Sequence, residues 1–212
     1  MRLYNLQKNK ESVRIAKQGG FTLIETMIAV FILAAAITTL IGLISTSLFS
    51  SRYAKNDIIA NYLIQEAIDY ARNDRDTTAY QHNLSGTWAS FLGHYGYPSS
   101  MCFAGNGCKF EPSAQGSSTI DAISVCSGTL TWGSVGCEIL NYDQNAANKD
   151  FYTYATPSGY TVSNFKRKVV MTVTPINGQA TDQLNISVTV EWLNGNLPKS
   201  RVFRTSLLNW KQ

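Results

Sequence analysis

The residue types that predict chemistry most clearly lie at one junction near the N-terminus. Gly19 and Gly20 end a basic leader, and an apolar run of 29 residues, Phe21 to Phe49, follows with Glu25 as its single charge. An ordinary secretory signal has its small-residue cleavage site after a short apolar region. Here the small residues come first. A cut after Gly20 would therefore keep the apolar segment and create a new terminal amine four residues before Glu25.

This junction resembles the type IV prepilin family, whose motif is a glycine followed by Phe-Thr-Leu-Ile-Glu. Gly20, Phe21 and Glu25 match the family positions for the cut, the first mature residue and the acidic fifth mature residue. The resemblance extends from Lys17 to about Phe49 and implies that a membrane aspartyl peptidase cuts the Gly20–Phe21 bond on the cytoplasmic side and methylates the Phe21 amine. It also implies that Glu25 of one subunit pairs with the Phe21 amine of the next.

Both Gly20 and Glu25 also have interpretations that need no processing. A peptidase binds its substrate extended, and glycine offers no side chain that clashes there, but a Gly-Gly pair also marks a simple turn before a helix. A carboxylate in a membrane helix costs about 3 kcal/mol at the bilayer centre and less near the interface, which favours a function for Glu25. An acid in the first turns also stabilises a helix through its dipole.

The net charge of +4 resides entirely in the leader, residues 1–20. The mature part that a cut after Gly20 would leave is formally neutral, so the basic pI is no evidence for nucleic-acid binding. A positive leader before an apolar run instead predicts a cytoplasmic N-terminus. Its five basic residues, against the single acid Glu11, are Arg2, Lys8, Lys10, Arg14 and Lys17.

Four cysteines lie in the part that would be exported, where disulfides persist. They predict two disulfides, with three possible connectivities. We favour Cys102–Cys108, which would close the turn at residues 104–107, together with Cys126–Cys137, which would join two neighbouring strands. A metal site and free thiols are the alternatives, although the spacings do not match the usual zinc pairs.

A long helix is the main predicted element. The run from Phe21 to Phe49 would span about 43 Å, more than the hydrocarbon core of a bilayer. Residues 51–73 contain no proline or glycine, and their apolar residues recur at helical spacing. We therefore expect one helix from about Thr22 to Asn73, about 80 Å long. Gly42 within it is a hinge or a close-packing position. The predicted apolar face of its second half is Ile58, Ile59, Tyr62, Leu63, Ala67, Ile68 and Ala71, and the predicted polar face is Arg52, Lys55, Asp57, Glu66, Asp69 and Arg72.

The C-terminal third predicts a three-stranded antiparallel meander. Residues alternate between apolar and polar around 167–173 and 184–192, and a third strand is expected from Arg201 to about Asn209, with the turn signals Asn177-Gly178 and Asn194-Gly195 between the three strands. The amphipathic half of the helix would cover the apolar face of this sheet. The predicted fold class is α+β, with a leader at 1–20, a long helix at 21–73 and a head domain at 74–212. Two less distinct strands are predicted at Thr119–Cys126 and Leu130–Leu140.

No catalytic motif, cofactor motif or metal-ligand spacing is present in the sequence, which predicts a protein that is not an enzyme. His82 and His94 are expected in surface loops rather than in catalysis. Four acids with no recognisable calcium spacing are expected on a solvated surface: Asp121, Glu138, Asp143 and Asp150. Four aromatic residues are expected to serve packing rather than ligand binding: Trp88, Phe91, Tyr95 and Tyr97.

The resemblance implies a structural subunit, either a minor pilin or a pseudopilin, of a type IV pilus, a DNA-uptake apparatus or a type II secretion filament. The C-terminal strands, with Val-Thr-Val-Glu-Trp before the Asn-Gly turn, also resemble PilV-type minor pilins. The implied partners are a prepilin peptidase and methyltransferase, the inner membrane and other pilin subunits in a cell-surface filament. The alternatives are a secreted module with an ordinary signal cut near Ala34–Ala36 and an uncleaved, single-span anchored protein.

Overall fold

A computed structural model describes residues 19–81, 87–111, 123–127, 132–133, 135–143, 151–154, 156, 159–176 and 179–209. The chain forms two compact units, one up to Ser47 and one from Leu48 onward, which we call the head unit. Helix α1 spans Leu23–Gln81, α2 spans Thr87–His94, and Met101–Phe103 form a single 3₁₀ turn. The strands are β1 (Cys108–Phe110), β2 (Ile123–Val125), β3 (Ile139–Asp143), β4 (Phe151–Thr153), β5 (Thr161–Ile176), β6 (Gln179–Asn194) and β7 (Leu197–Leu208).

The N-terminal unit is the apolar part of α1. Its hydroxyl side chains donate to carbonyls of the preceding turn: Thr39 to Ala36 at 2.8 Å and Ser45 to Ile41 at 3.0 Å. These donors are therefore satisfied within the helix and need no water, which suits a helix in an apolar environment. The helix continues unbroken through Gly42.

The helical content of the head unit exceeds the prediction. The predicted end of α1 at Asn73 is wrong, since the helix continues for eight more residues to Gln81. The added segment contains no glycine or proline, and Thr78 and Ala79 continue the buried stripe of the helix. Helix α2 was not predicted at all. It is only eight residues long, too short for a clear periodic signal, yet it buries Phe91 and Leu92.

All described strands belong to one antiparallel sheet built around β5. One edge of β5 pairs with β6, and the other edge pairs with β3 near its start and with β1 at Val169. Strand β7 pairs only with β6. The α+β class and the C-terminal meander of β5, β6 and β7 are thus confirmed. The second turn is shifted by one residue from the prediction: Asn194 ends β6, and Gly195 takes the left-handed φ of 65° that glycine tolerates. The predicted first turn, at 177–178, lies outside the described residues.

Of the strand predicted at Leu130–Leu140, the last two residues begin β3, while residues 132–133 and 135–138 form no strand and the others lie outside the described part. Trp132 packs on Lys166 of β5, with the ammonium 4.9 Å from the ring centroid. At this residue the chain therefore contacts the sheet through a side chain. The prediction at Thr119–Cys126 contains β2, and residues 119–122 lie outside the described part.

The core of the head unit forms between α1 and the sheet. Ala60, Leu63, Ile64 and Ala67 repeat at helical spacing and belong to one buried cluster. From the sheet, that cluster includes Val169, Met171, Leu184, Ile186, Val188, Val190 and Trp192. The prediction was wrong for two residues of the apolar face, because Ile58 is 55% exposed and Tyr62 is 68% exposed. The apolar stripe of α1 is wider than the surface that the described sheet covers.

A buried ion pair fixes α1 on the sheet. Arg167 of β5 is fully buried and donates to the Glu66 carboxylate, to the Leu63 carbonyl at 3.1 Å and to the Phe110 carbonyl at 2.9 Å. Glu66 was predicted on the solvent-facing side of the helix. It is instead the counter-charge of a guanidinium that no water reaches, and such a charge is stable in an interior only when it is paired.

A second polar contact joins α1 to α2. His94 was predicted in a surface loop, but it ends α2 and its Nδ1 lies 3.3 Å from Oδ2 of the buried Asp74. The hydrogen bond with Asp74 raises the pKa of His94, although partial burial opposes the charge. His82 lies outside the described residues.

We predict that Glu66→Ala lowers the free energy of unfolding by about 3 kcal/mol, because it leaves the Arg167 charge buried without its counter-charge. Asp69→Ala is the matched control. It removes an exposed acid three residues along the same helix and should change stability by less than about 0.5 kcal/mol. Urea unfolding of the chain in lipid nanodiscs measures both. Equal losses in the two variants would contradict the role of the ion pair.

We also predict that the stability of the head unit falls as the pH rises above about 6.5, the ordinary pKa of an unfolded histidine. The folded state holds the His94 proton more tightly, so this stabilisation is complete below that pH and is lost as the pH rises through the raised pKa. The loss should be under about 1 kcal/mol, as for other partly exposed pairs. His94→Gln should remove this pH dependence and His82→Gln should retain it; the opposite result would contradict the assignment.

Candidate functional site

The predicted cleavage junction lies directly before α1 and is exposed. Residues 19–22 have no helical or strand structure, and α1 begins at Leu23. A side chain built on Gly20 would meet no atom within 4 Å, and the backbone there does not adopt the left-handed conformation that favours glycine. The same holds for Gly19. The fold of the described residues therefore does not require glycine at either position.

Thr22 caps the helix at this junction. Its hydroxyl oxygen accepts a hydrogen bond from the Glu25 backbone N–H at 3.3 Å, the pattern of an N-cap and its third helical residue. The Glu25 backbone N–H is thus served by the hydroxyl of Thr22 and by its carbonyl oxygen at 3.1 Å, and not by a carboxylate. Capping by Thr22 leaves the Glu25 side chain available for another contact.

The Glu25 carboxylate is exposed in the first turn of α1. It makes no hydrogen bond or ion pair with the described part of the chain. Its position near the helix N-terminus is favourable for a negative charge, so the dipole interpretation stands beside a role in pairing. The structure thus places the Glu25 charge, without a partner among the described residues, at the start of an apolar surface.

The apolar side chains in the first half of α1 are not covered by the described part of the chain. Phe21, Phe31 and Phe49 are all exposed, as are the aliphatic side chains between them. One helix in the described chain, Leu23–Tyr80, is long and apolar enough to cross a membrane, and none of its most apolar window is buried. The core helix of a soluble protein also passes such a test, but it would be buried. The described part of the chain does not cover this surface, whose composition suits contact with lipid or with other apolar helices.

The four cysteines form disulfides in the connectivity that we favoured, Cys102 with Cys108 and Cys126 with Cys137. The first closes the turn that ends at Gly107, whose φ of 69° and close approach to the Val169 carbonyl both require glycine. The second does not join neighbouring strands as expected. It connects the end of β2 to the start of β3, and the sheet places β1 and β5 between those strands.

The remaining candidates do not converge on a site. No group of three or more histidines, cysteines or acids that could hold a metal occurs among the described residues. The prediction of a solvated surface was wrong for Asp143, which is buried. Glu138 is half-buried, and its carboxylate accepts hydrogen bonds from the Lys109 ammonium at 2.9 Å and the Ser127 hydroxyl at 2.6 Å. Asp121 and Asp150 lie outside the described part of the chain.

The aromatic residues predicted to serve packing do so. Trp88, Phe91 and Tyr95 belong to the buried core, and their rings form a contact series with centroid distances of 5.2 and 5.3 Å. The ring of Tyr97 is partly exposed and packs on Phe103. None of them lines an open site in the part of the head unit that the structure describes.

Comparison with known proteins gave a match for the N-terminal part of the chain, which contains the junction. The family model for the prokaryotic N-terminal methylation motif, the type IV prepilin signature, matches residues 15–41. No curated protein and no solved structure matches the chain. The motif implies processing by a prepilin peptidase, and it suggests a structural subunit rather than an enzyme. Together with the uncovered apolar helix, it fits anchoring in the inner membrane before assembly. These findings support a type IV pilin-like protein.

Proposed function

We propose that this protein is a structural subunit of a type IV filament, a minor pilin or a pseudopilin. Its leader, residues 1–20, is removed by a prepilin peptidase between Gly20 and Phe21, and the new Phe21 amine is methylated. The observation that carries this proposal is an exposed junction whose glycines the fold does not need, followed at once by an uncovered apolar helix. A cut there leaves the helix in the mature protein, where it serves first as a membrane anchor and then as an assembly element.

Glu25 supplies the specific contact in this proposal. Cleavage and methylation leave a positive charge on the Phe21 amine, and the Glu25 carboxylate is exposed without a partner among the described residues. Two opposite charges attract more strongly where neighbouring apolar helices exclude water, although their desolvation offsets part of the gain. Pairing Glu25 of one subunit with the Phe21 amine of another therefore sets the axial position of a subunit in a bundle of helices that otherwise slide freely.

The head unit supports a minor subunit over an abundant one. Its described residues between α2 and β5 include short strands and two disulfides, and the long regular meander lies at its end. The resemblance of that end to PilV-type minor pilins agrees with this assignment. A pilus, a DNA-uptake apparatus and a type II secretion system each use such a subunit, with the N-terminus cytoplasmic before assembly and the head unit outside the inner membrane.

We predict that two substitutions separate processing from assembly. Gly20→Trp should leave the leader attached, because the bulky side chain blocks the peptidase site while the fold has room for it. Glu25→Gln should be cleaved normally but should be absent from sheared filaments, because it retains the size of the side chain and loses the charge. Immunoblots of whole cells and of sheared filaments measure both.

Asp69→Asn is the matched control for Glu25→Gln, since it removes an exposed carboxylate from the same helix within the head unit. It should be cleaved and incorporated normally. Normal incorporation of Glu25→Gln would contradict the pairing with Phe21, and full cleavage of Gly20→Trp would contradict the proposed cleavage site.

A further inference from the structure

The head unit contains an open cavity that neither processing nor assembly uses. It has a volume of about 750 Å³, within the usual range for small-molecule sites. Its walls come from the outer side of α1, between Lys55 and Glu66, and from β3, β4 and the first residues of β5. Every described lining residue belongs to the head unit, so the cavity is a property of that unit alone.

Aromatic rings form one wall of the cavity, and further aromatic rings pack against them on the core side. Tyr152 packs against Tyr142 with ring centroids 5.3 Å apart and against Phe165 in an edge-to-face contact at 5.6 Å. Phe165 in turn contacts the buried Trp192. This series of rings connects the cavity wall to the core. The wall is therefore held in place before any ligand arrives, which lowers the entropic cost of binding.

Tyr62 stands on the α1 side of the same cavity. It belongs to the apolar stripe of the helix, yet it is 68% exposed and contributes little to the core. An exposed aromatic residue beside a cavity offers a flat face on which apolar C–H groups can pack, because the ring face is electron-rich. Tyr62 thus adds binding surface without a cost to the fold.

The polar groups of the cavity are mixed donors and acceptors. The side-chain amide nitrogen of Asn164 donates to the Leu193 carbonyl at 3.0 Å, and its side-chain oxygen remains able to accept a hydrogen bond. The Ser163 hydroxyl oxygen accepts from the Phe165 N–H at 3.1 Å, so its proton remains available for donation. A ligand that fills the cavity must therefore both donate and accept hydrogen bonds.

The cavity also carries one uncompensated positive charge. Glu66 at one end is neutralised by the buried Arg167, so this pair contributes no net charge. Lys55 at the other end makes no ion pair within the described part of the chain. Its ammonium group is the natural partner for an anionic group of a ligand.

We propose that this cavity binds a saccharide that carries a carboxylate. The tyrosine faces would pack on the C–H face of the sugar ring, Ser163 and Asn164 would exchange hydrogen bonds with its hydroxyls, and Lys55 would pair with the carboxylate. A peptide with apolar side chains matches this site less well, because its side chains carry no carboxylate that could pair with Lys55. The proposal does not depend on filament assembly, since binding is a property of the head unit.

Calorimetric titration of the mature chain in lipid nanodiscs tests the proposal. The probes are a galacturonic acid trimer, the galactose trimer of the same linkage and the acidic tripeptide Glu-Ser-Glu. We expect the acidic trimer to bind at least about fivefold more tightly than the neutral trimer, the size of one modest ion pair. Lys55→Gln should remove that preference, and Tyr62→Ala should weaken both sugars by about fivefold.

Two matched controls accompany these variants. Tyr80→Ala removes a tyrosine that is 91% exposed on the same helix but outside the cavity, and Lys199→Gln removes an exposed lysine of β7. Neither should change the binding of any probe. The proposal is overturned if neither sugar binds, if Tyr62→Ala binds as tightly as the unaltered chain, or if the tripeptide binds more tightly than the sugars.

Discussion

The constraint on which the account of this protein depends is an apolar helix surface that the described chain leaves uncovered. Sixteen large apolar side chains between Phe21 and Phe49 are exposed. Exposure of one such side chain to water costs about 1.5–3 kcal/mol relative to burial, so together they cost tens of kcal/mol, well above the net stability of a typical domain. The segment therefore needs lipid or neighbouring helices around it. The proposed cleavage site before the segment, and not after it, would keep this requirement in the mature protein.

Among lipid or neighbouring helices, the charges of the segment define its position along the helix axis. Apolar helices pack against lipid or against one another without a strongly preferred axial position, whereas a terminal amine and a single carboxylate four residues apart define one. Five hydroxyl groups of the segment donate to its own carbonyls and so do not compete as contact points. Glu25 is the one ionised side chain in the apolar run, and the proposed pairing gives it a partner in the assembled state.

In the head unit, the ion pair of Arg167 and Glu66 determines which side of α1 meets the sheet. Arg167 also bonds the Leu63 and Phe110 carbonyls, so rotation of the helix would break several contacts at once. This orientation buries the alanines and leucines of the stripe and leaves Tyr62 outside, next to Tyr142 and Tyr152. The cavity thus follows from a helix whose apolar face is wider than the surface that covers it.

Elements with long periodic signals were predictable, and the contacts between distant residues were not. The apolar run and the alternating strands β5 and β6 each extend over a dozen residues or more, and the junction at Gly20 is a contiguous motif. Helix α2 and the last two turns of α1 escaped prediction because their apolar signals are short. The contact of Glu66 with Arg167 was not predicted, because a charged residue on an amphipathic helix is usually solvated. Its partner lies about a hundred residues away, and the cavity joins segments equally far apart in sequence.

The decisive measurement is the identity of the N-terminal residue of the protein isolated from cells. Edman sequencing or mass spectrometry of the protein purified from the membrane or from sheared filaments would identify it. The account predicts a chain that begins at methylated Phe21 and retains the whole of α1. A chain that begins near Ile37, as an ordinary signal cut after Ala34–Ala36 would produce, or one that still begins at Met1, would contradict it.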